Sequence, residues 1–311
     1  MRIIFTGSGE FGLPTLREIL HAGHEIVTVY TQPDRPAGRG RKLSPTPIGA
    51  FALEHSIPLV RTADLNAENL PPADLMIVIA FGQKIAPAAV NHARFSSVNL
   101  HASRLPKFRG AAPINWAILS GETVTGNSVI RLATKMDAGN ILAQSQFPIG
   151  PTETAGELHD RLATDGAPLV LSVIRDLESG SAKEIAQDES LATLAPKLSR
   201  LSTHINWQNS ADQIDQQIRG MYPWPGCHVR ILDAGGQEKC RVTLVRAAAC
   251  EGEGCRWNPG EITLPGDICV GDGNHSIRVL ELQPEGKRPM PLADFQRGHP
   301  WMAGMKLESL A

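Results

Sequence analysis

Residues 74–101 read DLMIVIAFGQKIAPAAVNHARFSSVNLH. From Leu75 to Phe81 every side chain is apolar, so neither face of this segment suits water, and a strand covered on both sides is expected. A helical segment is predicted near 86–93, and SVNLH at 97–101 reads as a second strand. Strand, helix and strand in so short a stretch predict a parallel crossover inside an α/β sheet. Alternation puts Asn99 and His101 on one face of the second strand, at its end. In open sheets of this kind, ligands bind beyond the carboxyl ends of the strands.

The flanking sequence repeats the pattern. RIIFT (2–6) and EIVTVYT (25–31) read as strands around a helix marked by Leu13, Leu16, Ile19 and Leu20, with Pro14 in its first turn and Gly23 beyond its end. A further helix is expected at 47–55. NSVIRLAT (127–134) and NILAQSQFPI (140–149) read as strands joined by a turn around Asp137, Ala138 and Gly139. Residues 154–178 have helical periodicity, and 181–203 read as a connector. Past INW (205–207) comes a helix at 211–219. Short strands then recur as CHVRIL, RVTLVRAA, GEITL, DICVG and SIRVLEL, the signature of a small β-barrel or sandwich.

A chain of 311 residues, 42% hydrophobic, has material for two ordinary domains. Its net charge of −2 excludes a globally basic nucleic-acid binder, so any such contact must come from local patches. No apolar run is long enough to span a bilayer, and MRIIFTGSG lacks the apolar core of a signal peptide, so a cytoplasmic location is expected. The five cysteines all follow residue 226 and are odd in number. Not all can pair within the chain, so reduced thiols are expected, and a metal site on Cys250 and Cys255 is disfavoured because the CEGEGC spacing is wider than a usual metal pair.

Gly7-Ser-Gly9-Glu-Phe-Gly12 has the form of a dinucleotide fingerprint. That motif also wants an acid at the tip of the next strand, and this one ends Val29-Tyr30-Thr31. The glycines are better read as a tight turn with close packing. Between Leu75 and Gly121 no acid occurs, whereas Lys84, Arg94, Arg104, Lys107 and Arg109 do, which suits an acidic ligand. An Asn, a His and the carboxylate of Asp137 together could run acyl transfer. The amide stabilises an oxyanion, the imidazole moves protons, and the carboxylate orients the imidazole. Neither Ser nor Cys stands beside the pair as an obvious nucleophile, so direct attack by the acceptor is favoured.

Asn99-Leu-His101, Leu105-Pro106-x-x-Arg109-Gly110-Ala-Ala-Pro and Asp137-x-Gly139 resemble the folate-dependent formyltransferases. The resemblance implies a Rossmann-like formyltransferase domain with Asn99, His101 and Asp137 as catalytic trio. It implies 10-formyltetrahydrofolate as formyl donor, contacted by Ser103, Leu105, Pro106, Arg109 and Gly110, and no metal. The trio does not choose the acceptor, which differs among branches. Thr31-Gln-Pro-Asp-Arg-Pro-Ala-Gly-Arg-Gly-Arg-Lys-Leu43 resembles the tRNA-entering loop of the branch that acts on initiator methionyl-tRNA. Pro223-Trp-Pro-Gly226, Gly271-Asp-Gly273 and Leu282-Gln-Pro-Glu-Gly-Lys-Arg-Pro-Met290 resemble that branch's OB-like domain. Expected tRNA contacts are Arg35, Arg39, Arg41, Lys42, Lys287 and Arg288. The expected organisation is a catalytic domain at 1–188, a linker at 189–203 and an OB-like tRNA-binding domain at 204–311, in a monomer without membrane contact. A sugar-nucleotide or formyl-folate-hydrolysing member, a tRNA-holding module and an oxidoreductase are the rival readings.

Overall fold

The computed structural model describes residues 1–37, 42–251, 257–263, 266–272 and 274–310. Two compact units emerge. The first comprises Met1–Pro113, Thr125–Phe147 and His159–Ala195, and the second comprises Ile114–Val124, Pro148–Leu158 and Pro196–Ala311. The segment expected as a linker is therefore divided, with 189–195 packed in the first unit and 196–203 in the second.

In chain order the strands through residue 195 are β1 (Arg2–Gly7), β2 (Glu25–Thr31), β3 (Arg35–Ala37), β4 (Lys42–Ser44), β5 (Leu59–Arg61), β6 (Leu75–Ile79), β7 (Ser97–His101), β8 (Arg109–Gly110), β9 (Val124–Thr125), β10 (Ser128–Arg131), β11 (Ile141–Gln144), β12 (Phe147–Pro148) and β13 (Leu194–Ala195). The main sheet has the order β11-β10-β7-β6-β1-β2-β5. Its members from β7 to β5 are parallel, while at one side β10 pairs antiparallel with both β7 and β11. Every residue of β6 is buried, as its unbroken apolar run requires. Asn99 lies opposite Val78 of β6 and Ile130 of β10.

The glycine motif is explained by packing. A Cβ on Gly7 would lie 2.7 Å from the Ile79 carbonyl oxygen, and one on Gly12 would lie 3.3 Å from the Phe5 ring. Helix α1 (Leu13–His21) starts with a proline in its first turn and buries Leu16 and Ile19.

The second unit holds an antiparallel sheet of β14 (Cys227–Leu232), β15 (Glu238–Glu251), β16 (Ile268–Cys269), β17 (His275–Pro284) and β19 (Lys306–Ser309), in the order β16-β17-β15-β14-β19, with β18 (Met290–Pro291) on β17. It curls into an OB-like half-barrel. Alternation is clean in β14, where Cys227, Val229 and Ile231 point inward. The helix expected at 211–219 runs Ala211–Met221, opened by a capping box of Ser210 and Gln213. Two expectations change. Over the described residues of GEITL, 260–263, Glu261 and Ile262 make isolated bridges, to Lys306 and Ile268, where the chain turns at Gly260 (φ 89°) and meets Lys306–Ser309, a strand not anticipated; Leu264 lies outside the described residues. Cys269 is disulfide-bonded rather than reduced, while Cys227, Cys240 and Cys250 are free thiols. Cys255 lies outside the described residues.

Within this unit, Arg246 donates to Glu157 at 2.7 and 3.1 Å, and the Thr154 N–H donates to the same carboxylate at 2.9 Å. Arg246 above all holds the Glu157 carboxyl at about 2, against an ordinary 4.5. A depressed folded value stabilises the fold above about 4.5 and loses that contribution as pH falls toward about 2. Glu157→Gln should therefore lie below the parent in unfolding temperature near neutrality, and the gap should close between those two pH values. A gap independent of pH would refute the ion pair's contribution. In the first unit, Gly7→Ala should cost about 1–3 kcal/mol in urea unfolding, because backbone rather than a movable side chain meets the new methyl. Unchanged stability would contradict the close approach.

Candidate active site

His101 ends β7 and is 6% exposed. Its Nε2 lies 2.9 Å from the Phe108 carbonyl oxygen. A carbonyl only accepts, so Nε2 carries the hydrogen of this bond. In the neutral ring Nδ1 then holds the lone pair, and Nδ1 faces Asp137 Oδ2 at 3.7 Å. Asp137 has a left-handed backbone, φ 52°, and its Oδ2 accepts from the Gly110 N–H at 2.9 Å. Gly139 admits this turn, since a Cβ there would lie 1.8 Å from the Arg131 carbonyl oxygen. Asn99 is half-buried, and its side chain has no hydrogen-bond partner among the described residues. The structure thus brings Asn99, His101 and Asp137 to one end of the sheet: a free amide, an imidazole with one committed nitrogen, and a carboxylate facing the other.

The loop after β7 is fixed by its neighbours. Ser103 is fully buried; its Oγ donates to the Lys107 carbonyl at 2.6 Å, and its own carbonyl accepts from Ser128 Oγ at 2.6 Å. The Leu105 side chain packs with Ile130 and Ile141, and its carbonyl accepts from Gln144 at 2.8 Å. Pro106 is half-buried after a cis peptide bond. Gly110 presents its N–H to Asp137.

Arg109, expected to meet an acidic ligand, is 4% exposed and engaged within the protein. Its guanidinium donates to Gln187 Oε1 at 2.7 and 3.1 Å and to both carboxylate oxygens of Glu189 at 2.9 and 3.0 Å. Arg109, and after it Lys135, holds the Glu189 carboxyl at about 2. Arg104 and Lys107 are the exposed cations of the loop. Gln187, Glu189 and the Phe108 carbonyl were not anticipated. The first two fall in the stretch read as a connector, and the third acts through its backbone, which a side-chain pattern does not reveal.

The expected tRNA contacts fall on other elements where they are described. Arg35 is exposed on β3 and donates to Gln32, and Lys42 is exposed on β4. Arg39 and Arg41 lie outside the described residues. Lys287 and Arg288 are exposed in the second unit, where Lys287 borders a cavity of about 660 Å³ with Arg241, Met290 and His299. Among the described residues no helix is long and apolar enough to cross a membrane.

Residues 1–174 match the formyl transferase family, and residues 197–300 match the formyl transferase C-terminal domain. The methionyl-tRNA formyltransferase of Geobacter sulfurreducens is 40% identical over 317 aligned positions, covering 99% of this chain and 95% of that protein. That of Methylococcus capsulatus is 37% identical, covering 99% of each. Among solved structures, the sugar 3N-formyl transferase WlaRD, determined with dTDP and 5-N-formyl-THF, aligns at a TM-score of 0.65 with 20% identity, over 93% of this chain and 99% of that one. HypX from Aquifex aeolicus, in complex with tetrahydrofolic acid, aligns at 0.59 with 18% identity, over 95% of this chain and 46% of that one. These two carry the likeness of fold, and the close relatives carry the likeness of sequence along the whole length. The chain belongs to the formyl transferase family.

Proposed function

We propose that the protein transfers a formyl group from 10-formyltetrahydrofolate to the α-amine of methionine on charged initiator tRNA. The observation that carries this reading is the unpartnered Asn99 amide on the same face of β7 as His101, whose Nδ1 faces Asp137, in a chain aligned nearly end to end with methionyl-tRNA formyltransferases. The donor supplies an electrophilic formyl carbon, bordered by the loop 103–110. The amine attacks this carbon directly. Ser103 and Ser128 spend their hydroxyls on backbone carbonyls, and every cysteine lies after residue 226, so among the described residues around the pair no free Ser or Cys nucleophile favours a covalent detour.

Asn99 donates to the oxyanion that develops as the new N–C bond forms. His101 receives the amine's proton on Nδ1, because Nε2 is held by Phe108, and yields a proton to the departing N10 as the old C–N bond breaks. Asp137 faces the nitrogen that gains the charge. The exposed cations of the 31–43 loop, together with Lys287 and Arg288, meet tRNA phosphates.

The direct test is a formylation assay with charged initiator tRNA and the folate donor, omitting each in turn. Asn99→Ala and His101→Ala should each lose about a hundredfold or more in kcat while tRNA binding is kept, since both act mainly in the transition state. Activity within a few-fold of the parent would remove that residue from the catalytic set. Replacing Arg39, Arg41 and Lys42 together by Ala should weaken tRNA use, lower the log–log salt slope by somewhat under about one unit per lost phosphate contact, and leave folate binding unchanged. Normal tRNA use with poor folate binding would reverse this assignment of the loop.

A further inference from the structure

We propose that Gln187 is a positioning residue of the formyl-transfer site, fixing the turn that aims Asp137 at His101. This rests on the catalytic reading above. The residue lies between the stretches matched by the two family descriptions, 1–174 and 197–300, and its environment was not signalled by sequence.

Residues 184–189 run beside the Lys135–Ile141 segment like a strap. Glu184 accepts from Arg131 at 2.9 Å and from Asn140 at 3.0 Å. Ile185 bridges to Ile141. Glu189 pairs with Lys135 and Arg109. Gln187 stands at the centre, and its amide is fully used. Nε2 donates to the carbonyls of Asp137 and Gly139, both at 2.8 Å. Oε1 accepts from two guanidinium nitrogens of Arg109. A guanidinium only donates and a carbonyl only accepts, so the amide fits one way round.

One side chain therefore links the backbone of the turn that carries Asp137 to the side chain of Arg109, whose neighbour Gly110 touches the Asp137 carboxylate. The 137–139 turn carries it, and the chain at Arg109–Gly110 donates the Gly110 N–H to it. Asp137 stands at φ 52°, a conformation that persists only where the surroundings hold it. Gln187 supplies two of the bonds that do so. Its effect on the reaction runs through Asp137.

Gln187→Glu is the sharp test. It keeps the shape and an acceptor for Arg109 but sets an acceptor against two carbonyls. Gln187→Met, which removes both sets of bonds, serves as the second variant, and far-ultraviolet circular dichroism with urea unfolding checks the fold of each. The Gly110 amide reports the Asp137 carboxylate directly, so its hydrogen exchange in the full chain should speed up about tenfold or more in either variant. Turnover should fall about tenfold or more, with KM for both substrates within twofold, as expected for a misplaced catalytic carboxylate. Added to Asp137→Asn, Gln187→Glu should cost little further, because the two act as one unit. Unchanged Gly110 exchange, unchanged kcat, or a full additive loss on Asp137→Asn overturns the proposal. Should the parent protein transfer no formyl group, the functional reading falls, and the Gly110 amide alone decides whether Gln187 holds Asp137.

Discussion

β6 is apolar at every position and buried along its length, so this central strand carries no polar side chain into the layers it joins. Polar chemistry is pushed to the strand ends, where side chains leave the packed layers and meet loops. His101 is the last residue of β7, and Asn99 stands two positions earlier on the same face. The antiparallel β10 covers the other side of β7, with Ser128 opposite His101, and Ser128 in turn anchors the loop that follows. A buried strand thus sets both the place of the imidazole and the start of the loop that receives its Nε2 hydrogen.

Much of this was legible in the sequence because the signals are periodic. An unbroken apolar run reads as a doubly covered strand, and alternation places Asn99 with His101. Arg109 shows the limit of such reading. A cation in an acid-free stretch looks available to an anionic ligand, yet its anion is Glu189, 80 residues further along the chain. Nothing local distinguishes a cation waiting for a ligand from one already paired at long range. Gln187 and the Phe108 carbonyl are hidden for a related reason: hydrogen bonds to backbone leave no periodic trace. Gly7, Gly9 and Gly12 mislead in the opposite direction. The spacing fits a nucleotide motif, but packing against Ile79 and Phe5 already requires small residues at the first and last of them.

The second unit is harder to read from sequence because its strands differ in length and in what ends them. RVTLVRAA is the centre of a strand that runs Glu238–Glu251, with register shifts near Arg246 against β17. A shift of this kind moves the alternation by a residue and blurs the pattern of period two. The final strand is four residues with a single buried position, Leu307, and its pairing with β14 supplies what its composition does not.

The 3.7 Å between His101 Nδ1 and Asp137 Oδ2 has a mechanistic meaning under the proposed reaction. With Nε2 donating to Phe108, the neutral imidazole turns a lone pair toward the carboxylate, and two acceptors have no reason to close. Once the attacking amine's proton arrives on Nδ1, the same pair becomes an attractive contact between opposite charges. The interaction is then stronger as the amine loses its proton than before, which is the condition for a contact to raise turnover rather than merely to tighten binding. The Gly110 N–H keeps Asp137 in place before that proton arrives. A carboxylate free to rotate would swing toward solvent in the resting state and would have to be reoriented at the moment it is needed. Holding it by backbone and by Gln187 removes that reorganisation from the reaction.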